Sequence, residues 1–333
     1  WILRAEWSET MDILKIENLR VCFETKKGKK LAVDGVNFNI QKGEIFGIVG
    51  ESGCGKSVTS MSVMRLIAPP GKITEGKIEV DGEDVLAMSE KELQEKIRGT
   101  KISMIFQDPM TSLNPLLPVG EQIAETLRVH KGLSKKKAKE EAIKQLHNVG
   151  IPMPEKHFNS YPHSMSGGMR QRVMIAIAMA CEPEILIADE PTTALDVTIQ
   201  AQILDLMKQV RDETGTAIVL ITHDLGVVAN MCDRVAVMYC GRIVEEGVTQ
   251  DILKNPRHPY TKGLIASIPS ISGGKKMLHN ILGTVPQVYE GAKGCYFVNR
   301  CDYCVEKCKA EAPKLHSISD NHKVACHLNE VSA

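Results

Sequence analysis

The stretch from Gly50 to Ser57 constrains the fold of this chain more than any other. It reads GESGCGKS and matches G-x-x-x-x-G-K-[ST], in which flexible glycines let successive backbone N–H groups point at one anion. The preceding EIFGIVG is an apolar run typical of a strand buried on both faces, and the following SVTSMSVMRLI has helical periodicity. Strand, loop and helix in this order predict a nucleotide-binding α/β fold.

Several residues of this loop have individual expected roles. Lys56 is expected to reach the β- and γ-phosphates, and the Ser57 hydroxyl to ligate Mg²⁺. The helix beginning at Lys56 adds the positive end of its dipole, whereas Cys54 is interpreted as a small variable residue and not a nucleophile. The predicted nucleotide contacts in this region are Gly50, Glu51, Ser52, Gly53, Cys54, Gly55, Lys56, Ser57 and Val58.

Charge and hydropathy exclude several functional classes. The 333 residues include 41 basic and 41 acidic ones, so the chain has no bulk attraction to nucleic acid. The longest apolar run, Val173–Cys181, is far shorter than the roughly 20 residues that span a bilayer. The opening WILRAEWSET is unlike a secretory signal, and we expect residues 1–10 to be an extraneous leader before a natural start at Met11. We therefore expect the ten cysteines to face a reducing cytoplasm, where disulfides are rare.

Two more apolar segments end in polar residues that suit phosphate chemistry. PEILIADEP ends in Asp189 and Glu190, and TAIVLITHD delivers His223, so all three side chains are expected at the carboxyl edge of a parallel sheet. Asp189 is expected to hold Mg²⁺ through water, Glu190 to deprotonate an attacking water, and His223 to sense the γ-phosphate. Taken alone, two acids could merely end a strand at the surface, and such a histidine would be incidental.

Three motifs around these acids make the pattern specific. FQDP (106–109) resembles the Q-loop of ABC-transporter ATPases, MSGGMRQR (165–172) their LSGGQ signature, and TALDV (193–197) their D-loop. The chain therefore resembles an ABC-transporter ATPase over nearly all of its length after Met11. It departs from the family where Met165 and Met169 replace the first and last signature residues, which puts contacts of the fifth position in doubt.

The resemblance assigns further residues to the site. It implies that Gln107 approaches Mg²⁺ and the attacking water, and that Asp196 crosses a dimer interface. It places Ser166, Gly167 and Gly168 on the γ-phosphate of ATP held by a partner subunit. Phe23 falls where the family stacks an aromatic ring on adenine, although core packing is an alternative for this residue.

The same resemblance implies the domain organisation. It predicts a P-loop NTPase of the ABC type over residues 11–250, with a RecA-like core, an antiparallel β subdomain and an inserted helical subdomain at about 108–179. Within the insert, SKKKAKEEAIKQLHNVG is expected to form a helix capped by Ser134, with its small and apolar residues on one stripe. Residues 251–333 form a small cysteine-rich extension.

Four more stretches, three of them in the extension, narrow the family resemblance to one class of transporter ATPases. QDPMTSLNP, NPRHPYTKGLIASIP, ILGTVP and VACHL resemble the ATPases of peptide and nickel importers, with dipeptide or oligopeptide uptake as the best fit. The resemblance implies ATP and Mg²⁺ as ligands, a second ATPase subunit (identical or related) and permease subunits at the cytoplasmic face of the membrane. It implies an extracytoplasmic peptide-binding protein as an indirect partner. Nickel import and a soluble ATPase of iron–sulfur assembly are the alternatives.

Five thiols in the extension raise a separate question. A short segment cannot bury enough apolar surface by itself, so this density of cysteines favours a metal staple, with unliganded thiols as the remaining possibility. Zinc would take Cys301, Cys304, Cys308 and Cys326 (or His327), whereas a [4Fe–4S] cluster tolerates the irregular spacing of Cys295, Cys301, Cys308 and Cys326. The family resemblance implies the iron–sulfur cluster, with Cys304 as a spare or alternative ligand. Nothing in the sequence couples these thiols to the nucleotide site.

Overall fold

The structure is a computed structural model, and it describes residues 12–193, 195–267 and 281–330. The expected leader at residues 1–10, Ala194 of the D-loop motif and the end of NPRHPYTKGLIASIP lie outside the described residues. The chain divides into two compact units. The described part of the first unit is 12–15, 38–44, 78–193 and 195–218; that of the second unit is 16–37, 45–77, 219–267 and 281–330.

Thirteen strands are present in the described residues. In chain order they are β1 Asp12–Thr25, β2 Gly28–Gln41, β3 Ile45–Val49, β4 Gly71–Val80, β5 Glu83–Asp84, β6 Ile102–Ile105, β7 Ile185–Asp189, β8 Ala217–Thr222, β9 Arg234–Tyr239, β10 Arg242–Val248, β11 Val288–Tyr289, β12 His316–Ser319 and β13 His322–Val324.

Twelve α-helices connect and cover these strands within the same residues. They are α1 Lys56–Val63, α2 Glu90–Lys96, α3 Pro109–Ser112, α4 Val119–Lys131, α5 Lys135–Asn148, α6 Pro154–His157, α7 Gly167–Met179, α8 Val197–Thr214, α9 Leu225–Met231, α10 Thr249–Lys254, α11 Pro259–Ala266 and α12 Glu306–Ala310. None of the helices described here is long and apolar enough to cross a membrane.

The second unit contains a run of strands in the order β12-β13-β10-β9-β3. Strand β3 is buried along its whole length and pairs parallel with β9, from Phe46 opposite Arg234 to Val49 opposite Val237. The remaining neighbours in this run are antiparallel. Strand β3 ends at Val49, so the phosphate-binding motif begins directly after the strand, as the sequence predicts.

The first unit pairs β6 parallel with β7, from Ile102 opposite Ile185 to Ile105 opposite Ala188. Helices α3 to α7 lie within residues 108–179 of this unit, and α5 begins as expected: the Ser134 hydroxyl accepts the Lys137 N–H at 3.4 Å. The predicted apolar stripe is confirmed, because its members are fully or almost fully buried. They are Ala138, Ala142, Leu146 and Val149.

One local expectation, the extent of the helix after the phosphate-binding motif, is wrong. Helix α1 ends at Val63 and does not extend through SVTSMSVMRLI. Arg65 adopts a left-handed backbone conformation there (φ 50°). The Leu66 N–H donates to the Met61 carbonyl oxygen at 2.8 Å, and this cap ends the helix.

Candidate functional site: a phosphate-binding loop, a strand-end acid pair and a thiol cavity

The phosphate-binding loop requires glycine at two of its positions. Gly50 has φ 154° and Gly55 has φ 106°, in the range that side chains disfavour. A Cβ at Gly50 would lie 2.2 Å from the Met238 carbonyl oxygen, and one at Gly55 would lie 2.3 Å from the Ala32 carbonyl oxygen. The loop therefore lies against neighbouring backbone at both ends, and no other residue fits there without displacing it.

Lys56 is buried and directed back over the loop. Its Nζ donates to the carbonyl oxygens of Gly50 at 2.8 Å and Glu51 at 3.1 Å. The ammonium therefore lies against the same loop backbone that the motif predicts to bind phosphate. Ser57 follows in the first turn of α1 and Val58 comes next, both half-buried, while Ser52 and Gly53 are exposed at the tip of the loop. A cation at the start of a helix, beside a glycine-rich loop, suits a polyphosphate.

Cys54 is closed off from solvent inside this loop. Its sulfur is buried and lies 3.9 Å from Lys56 Nζ. Burial raises the pKa of the Cys54 thiol, an effect that the nearby Lys56 charge only partly opposes. A thiolate is the reactive form of cysteine, so this arrangement supports the interpretation of Cys54 as a packing residue.

Strand β7 ends in the two acids that the sequence selects. Asp189 is buried at the end of the strand, and Glu190 follows with a left-handed backbone of φ 47°. This conformation is unfavourable for a side chain and is typical of functional sites. One carboxylate oxygen of Glu190 accepts from Gln107 Nε2 at 3.1 Å and from the Thr193 hydroxyl at 2.8 Å. The first unit therefore brings the predicted base and the Q-loop glutamine into direct contact.

The signature and D-loop motifs each begin a helix in the first unit. The exposed Ser166 hydroxyl caps α7 by accepting the Met169 N–H at 3.3 Å, with Gly167 and Gly168 in its first turn. The exposed Asp196 carboxylate caps α8 by accepting the Ile199 N–H at 3.0 Å.

Gln171, two residues after the fifth signature position, does not replace the missing glutamine at the surface. Met165 is buried, and Gln171 is only 2% exposed within α7, so Gln171 does not present an amide in place of the missing glutamine.

His223 and Phe23 complete the predicted nucleotide residues in the second unit. His223 is exposed immediately after β8, beside Asp224, which caps α9. Phe23 is half-buried near the end of β1, and its ring packs against Gly71. Its contact with Gly71 is the packing that the alternative interpretation predicts, and its partial exposure is compatible with stacking on a ligand.

The five thiols of the extension surround one small cavity of about 10 Å³. Cys308 and Cys326 are buried, Cys295 and Cys301 are half-buried, and Cys304 is exposed. Burial raises the pKa of the Cys295 thiol to about 11, with a further contribution from the neighbouring thiols, and it raises the pKa values of Cys301 and Cys326. Within the described residues, no group of three or more His, Cys, Asp or Glu side chains is arranged to hold a metal ion.

The thiol segment is anchored to the β1–β2 region through Asp34. The Tyr296 hydroxyl donates to the Asp34 carboxylate at 2.7 Å, and Arg242 Nε donates to the same oxygen at 2.7 Å. Arg20 lies 3.0 Å from the other oxygen. Burial pushes the pKa of Asp34 up, but Tyr296 and the two arginines outweigh it and hold the pKa below its usual value.

Comparison with known proteins matches these features. A profile described as ABC transporter covers residues 33–193, and one described as the C-terminal region of oligopeptide/dipeptide transporters covers 244–308. The oligopeptide transport ATP-binding protein OppD of Bacillus subtilis is 53% identical over 95% of this chain and 88% of its own length. The dipeptide transport ATP-binding protein DppD of the same organism is 52% identical over 96% of both chains. The chain belongs to the ABC transporter ATP-binding family.

Solved structures give the same assignment for the cassette. The dimeric, post-hydrolysis structure of the ATP-binding cassette MJ0796 bound to ADP and Pi has a TM-score of 0.64 at 32% identity. It aligns with 71% of this chain and 98% of its own. CbiO1 from Clostridium perfringens, part of the ABC transporter complex cbiONQ, gives a TM-score of 0.62 at 30% identity over 73% of this chain and 91% of its own. The predicted fold, an ABC-type P-loop ATPase, is confirmed.

The structure of this ABC ATPase adds functional contacts that sequence reasoning missed. Thr193 was expected only as part of the D-loop, yet its hydroxyl bonds Glu190; its position three residues after the acid was an available signal. Tyr260 and Arg300 both contact Glu51 of the phosphate-binding loop from 209 and 249 residues away. No local pattern indicates pairs so distant in sequence.

Proposed function

We propose that this ABC ATPase is the ATP-hydrolysing subunit of an importer that carries dipeptides or oligopeptides across the cytoplasmic membrane. The observation that carries the proposal is the extent of the match to peptide-transport subunits. The alignments, about one half identical overall, cover 95–96% of this chain and so include most of the C-terminal extension, where a region of oligopeptide/dipeptide transporters matches residues 244–308. The extension, and not the shared cassette, distinguishes this class from other ABC ATPases.

The predicted nucleotide-site residues each have a role in this proposal. Lys56 and the loop N–H groups bind the β- and γ-phosphates, and the Phe23 ring stacks on the adenine. Glu190, oriented by Gln107 and Thr193, accepts a proton from the attacking water. His223 senses the γ-phosphate.

Oxygen donors of this chain suit the Mg²⁺ that ABC ATPases use with ATP. Ser57, Gln107 and Asp189 offer the hydroxyl, amide and carboxylate oxygens that Mg²⁺ prefers. The ion supplies charge neutralisation on the phosphate oxygens. The protein residues orient the phosphates and the water, so their contribution is mainly positioning and electrostatic stabilisation.

The signature and D-loop are proposed to act on a second ATPase subunit, identical or related. Ser166, Gly167 and Gly168 lie at the start of α7, where N–H groups and the helix dipole favour an anion. Asp196 is exposed at the start of α8, and the adjacent Val197 is 83% exposed, as expected of a surface that a partner covers. The dimeric MJ0796 cassette supports this arrangement.

The permease is proposed to dock on the helical residues 108–179, which places the ATPase peripherally on the cytoplasmic face of the membrane. Leu116, nine residues after Gln107, is 81% exposed, and an apolar side chain so placed suits contact with a membrane subunit. The extracytoplasmic peptide-binding protein is an indirect partner. The proposed domain limits, an ATPase domain over 11–250 and an extension over 251–333, follow from the same assignment.

Transport by the assembled complex tests the function. The ATPase, co-purified with the permease subunits of its own operon and reconstituted with its binding protein, is expected to accumulate a labelled dipeptide or tripeptide in vesicles supplied with ATP. A Lys56→Ala subunit is the matched control and is expected to give no uptake. Uptake of Ni²⁺ instead of peptide would establish the nickel-importer alternative. Co-purification with iron–sulfur assembly proteins, without permeases, would establish the soluble alternative.

We further propose that Cys295, Cys301, Cys308 and Cys326 hold a [4Fe–4S] cluster, with zinc as the competing metal. The support is the type of donor: five thiols line one cavity on a segment with little apolar core, and four thiolates are ligands that either metal takes. In the described residues the thiols are not arranged as a metal site, so the metal would have to draw them together. The raised pKa values of Cys295, Cys301 and Cys326 keep these thiols protonated near neutral pH unless a cation favours the thiolates. The role proposed for the cluster is to stabilise the extension, and redox sensing is a second candidate role.

Anaerobic purification from iron-replete cells tests the cluster. The protein is expected to be brown, with broad visible absorption and about four irons per chain. Colourless protein with one zinc per chain would establish the zinc alternative, with Cys301, Cys304, Cys308 and Cys326 (or His327) as the ligands. Protein without either metal would show that the thiols are unliganded.

A further inference from the structure

The C-terminal extension reaches the phosphate-binding loop through one residue, Glu51. The Arg300 guanidinium makes a bidentate ion pair with the Glu51 carboxylate, with Nη1 donating at 2.6 Å and Nη2 at 2.9 Å. The Glu51 backbone N–H donates to the Tyr260 hydroxyl at 2.9 Å. Both the side chain and the peptide group of Glu51 are therefore held by residues that lie outside the cassette sequence.

The two holding residues are themselves fixed. The Arg300 side chain is only 4% exposed, its Nε donates to the Leu282 carbonyl oxygen at 3.0 Å, and Nη1 donates to the Tyr239 hydroxyl at 3.3 Å. Tyr260 is fully buried, with its ring centroid 4.6 Å from that of Tyr239 and 5.5 Å from that of Phe297. A planar guanidinium in such surroundings fixes its carboxylate partner in orientation as well as in distance.

Glu51 in turn contacts the residue that faces the phosphates. Its carbonyl oxygen accepts Lys56 Nζ at 3.1 Å and the Cys54 N–H at 3.3 Å. The peptide units on either side of Glu51 thus carry the Tyr260 contact and the Lys56 contact. A shift of Glu51 therefore moves the loop backbone and the lysine together.

We propose that Arg300 and Tyr260 are positioning residues that hold the phosphate-binding loop, through Glu51, in the conformation that receives the nucleotide. The proposal rests on the nucleotide role proposed for the loop. The proposal makes the extension a structural part of the ATP site. Because Arg300 directly precedes Cys301, the segment that carries the thiols also carries the Arg300 contact to Glu51. Misplacing a catalytic geometry by about 1 Å can reduce rates about 100-fold, so small loop shifts are sufficient to matter.

Substitution of Arg300 in the full chain is the first test. Arg300→Gln is expected to weaken MgADP binding about tenfold by calorimetry and to raise KM for ATP comparably, since a charge-assisted bidentate contact is lost. Arg300→Lys keeps the charge without the fork and is expected to lose about threefold. Arg257→Gln is the matched control, because Arg257 is an exposed arginine of the same extension, and it is expected to bind MgADP as the parent does.

Tyr260→Phe isolates the hydroxyl. It keeps the buried ring and removes the acceptor of the Glu51 N–H, and we expect about threefold to tenfold weaker MgADP binding. Tyr303→Phe is the control, since Tyr303 is a tyrosine of the extension that is 62% exposed. Thermal unfolding of each variant checks its fold, and if Arg300→Gln fails to fold, Arg300→Lys and Tyr260→Phe decide the question.

A double-mutant cycle separates positioning from general stability. If Arg300 acts through Glu51, then Arg300→Gln has little further effect on MgADP binding in a Glu51→Gln background. Additive losses, or folded Arg300 and Tyr260 variants that bind MgADP and hydrolyse ATP like the parent, would overturn the proposal. A parent protein that fails to bind MgADP would instead refute the nucleotide role on which the proposal rests.

Discussion

The phosphate-binding loop and the thiol cavity are both small clusters of candidate functional residues, yet their geometry has different origins. The loop is a consecutive run whose shape depends on glycine backbone at Gly50 and Gly55. The thiols come from positions spread between Cys295 and Cys326, so their mutual distances depend largely on how separate segments of the extension pack. A site built from consecutive backbone can be identified from the sequence, whereas a cluster of dispersed side chains depends on the fold.

Glu190→Gln is expected to give the largest effect, and it tests the nucleotide site of this comparison. Loss of the general base should lower turnover by the assembled transporter about 10²–10⁴-fold while ATP binding persists. Steady-state hydrolysis and nucleotide retention measure the two properties. Glu182→Gln is the control, because Glu182 is exposed and forms only a surface pair with Lys131. Parental turnover by Glu190→Gln would remove Glu190 from the mechanism.

Mixing two inactive subunits tests whether the nucleotide site is completed by a partner. Ser166→Ala should lower turnover about 10²–10³-fold by removing a donor for the γ-phosphate, and Lys56→Ala should be inactive. If the subunit pairs with itself, an equal mixture should regain about a quarter of the parental activity, because half of the dimers contain one intact composite site. Unmixed variants are the controls, and an inactive mixture would argue against sharing in trans between identical subunits.

Two cysteine substitutions test the other side of the comparison. Cys308→Ser removes a buried thiol of the cavity and is expected to reduce iron from about four per chain to a small remainder and to lower the melting temperature. Cys304→Ser, at the exposed position, is the matched control and should retain the parental iron content. Iron analysis of anaerobically prepared protein distinguishes them. Equal losses would make Cys304 a ligand.

Tyr296→Phe is expected to give the smallest effect. It removes the hydroxyl that bonds the buried Asp34 carboxylate, and the free energy of unfolding should fall by about 1–2 kcal/mol at neutral pH. Because the pKa of Asp34 is lowered in the fold, this stabilisation is present above its unfolded pKa and is lost as the pH falls through the lowered value. Denaturant titrations at pH 7 and in acid should therefore show the difference shrinking; a constant difference would contradict the assignment.

Several elements of the fold could be predicted because their sequence signals are local. Strands β3, β7 and β8, the Ser134 cap and the apolar stripe of α5 each follow from a few neighbouring residues, and the structure confirms them. The end of α1 could not be predicted in this way. Its apolar periodicity continues beyond Val63, but the left-handed turn at Arg65 stops the helix.

Long-range contacts account for what the sequence could not reveal. The ion pair between Glu51 and Arg300 joins residues 249 positions apart, and neither has a neighbour that indicates the other. The burial of Gln171 follows from the packing of α7 and decides against it as a surface substitute for the signature glutamine. Whether the thiols could bind a metal depends on distances between side chains, and the sequence spacing alone is compatible with iron–sulfur, with zinc and with unliganded thiols.

The contrast between a buried and an exposed thiol has a practical consequence for chemical labelling. Cys54, sealed within the loop and with its pKa raised by burial, is expected to resist maleimides and other alkylating reagents. Cys304 is exposed on the extension and should react first. A fluorophore or spin label attached there would report on the extension during nucleotide turnover without engineering a new cysteine into this ten-cysteine chain.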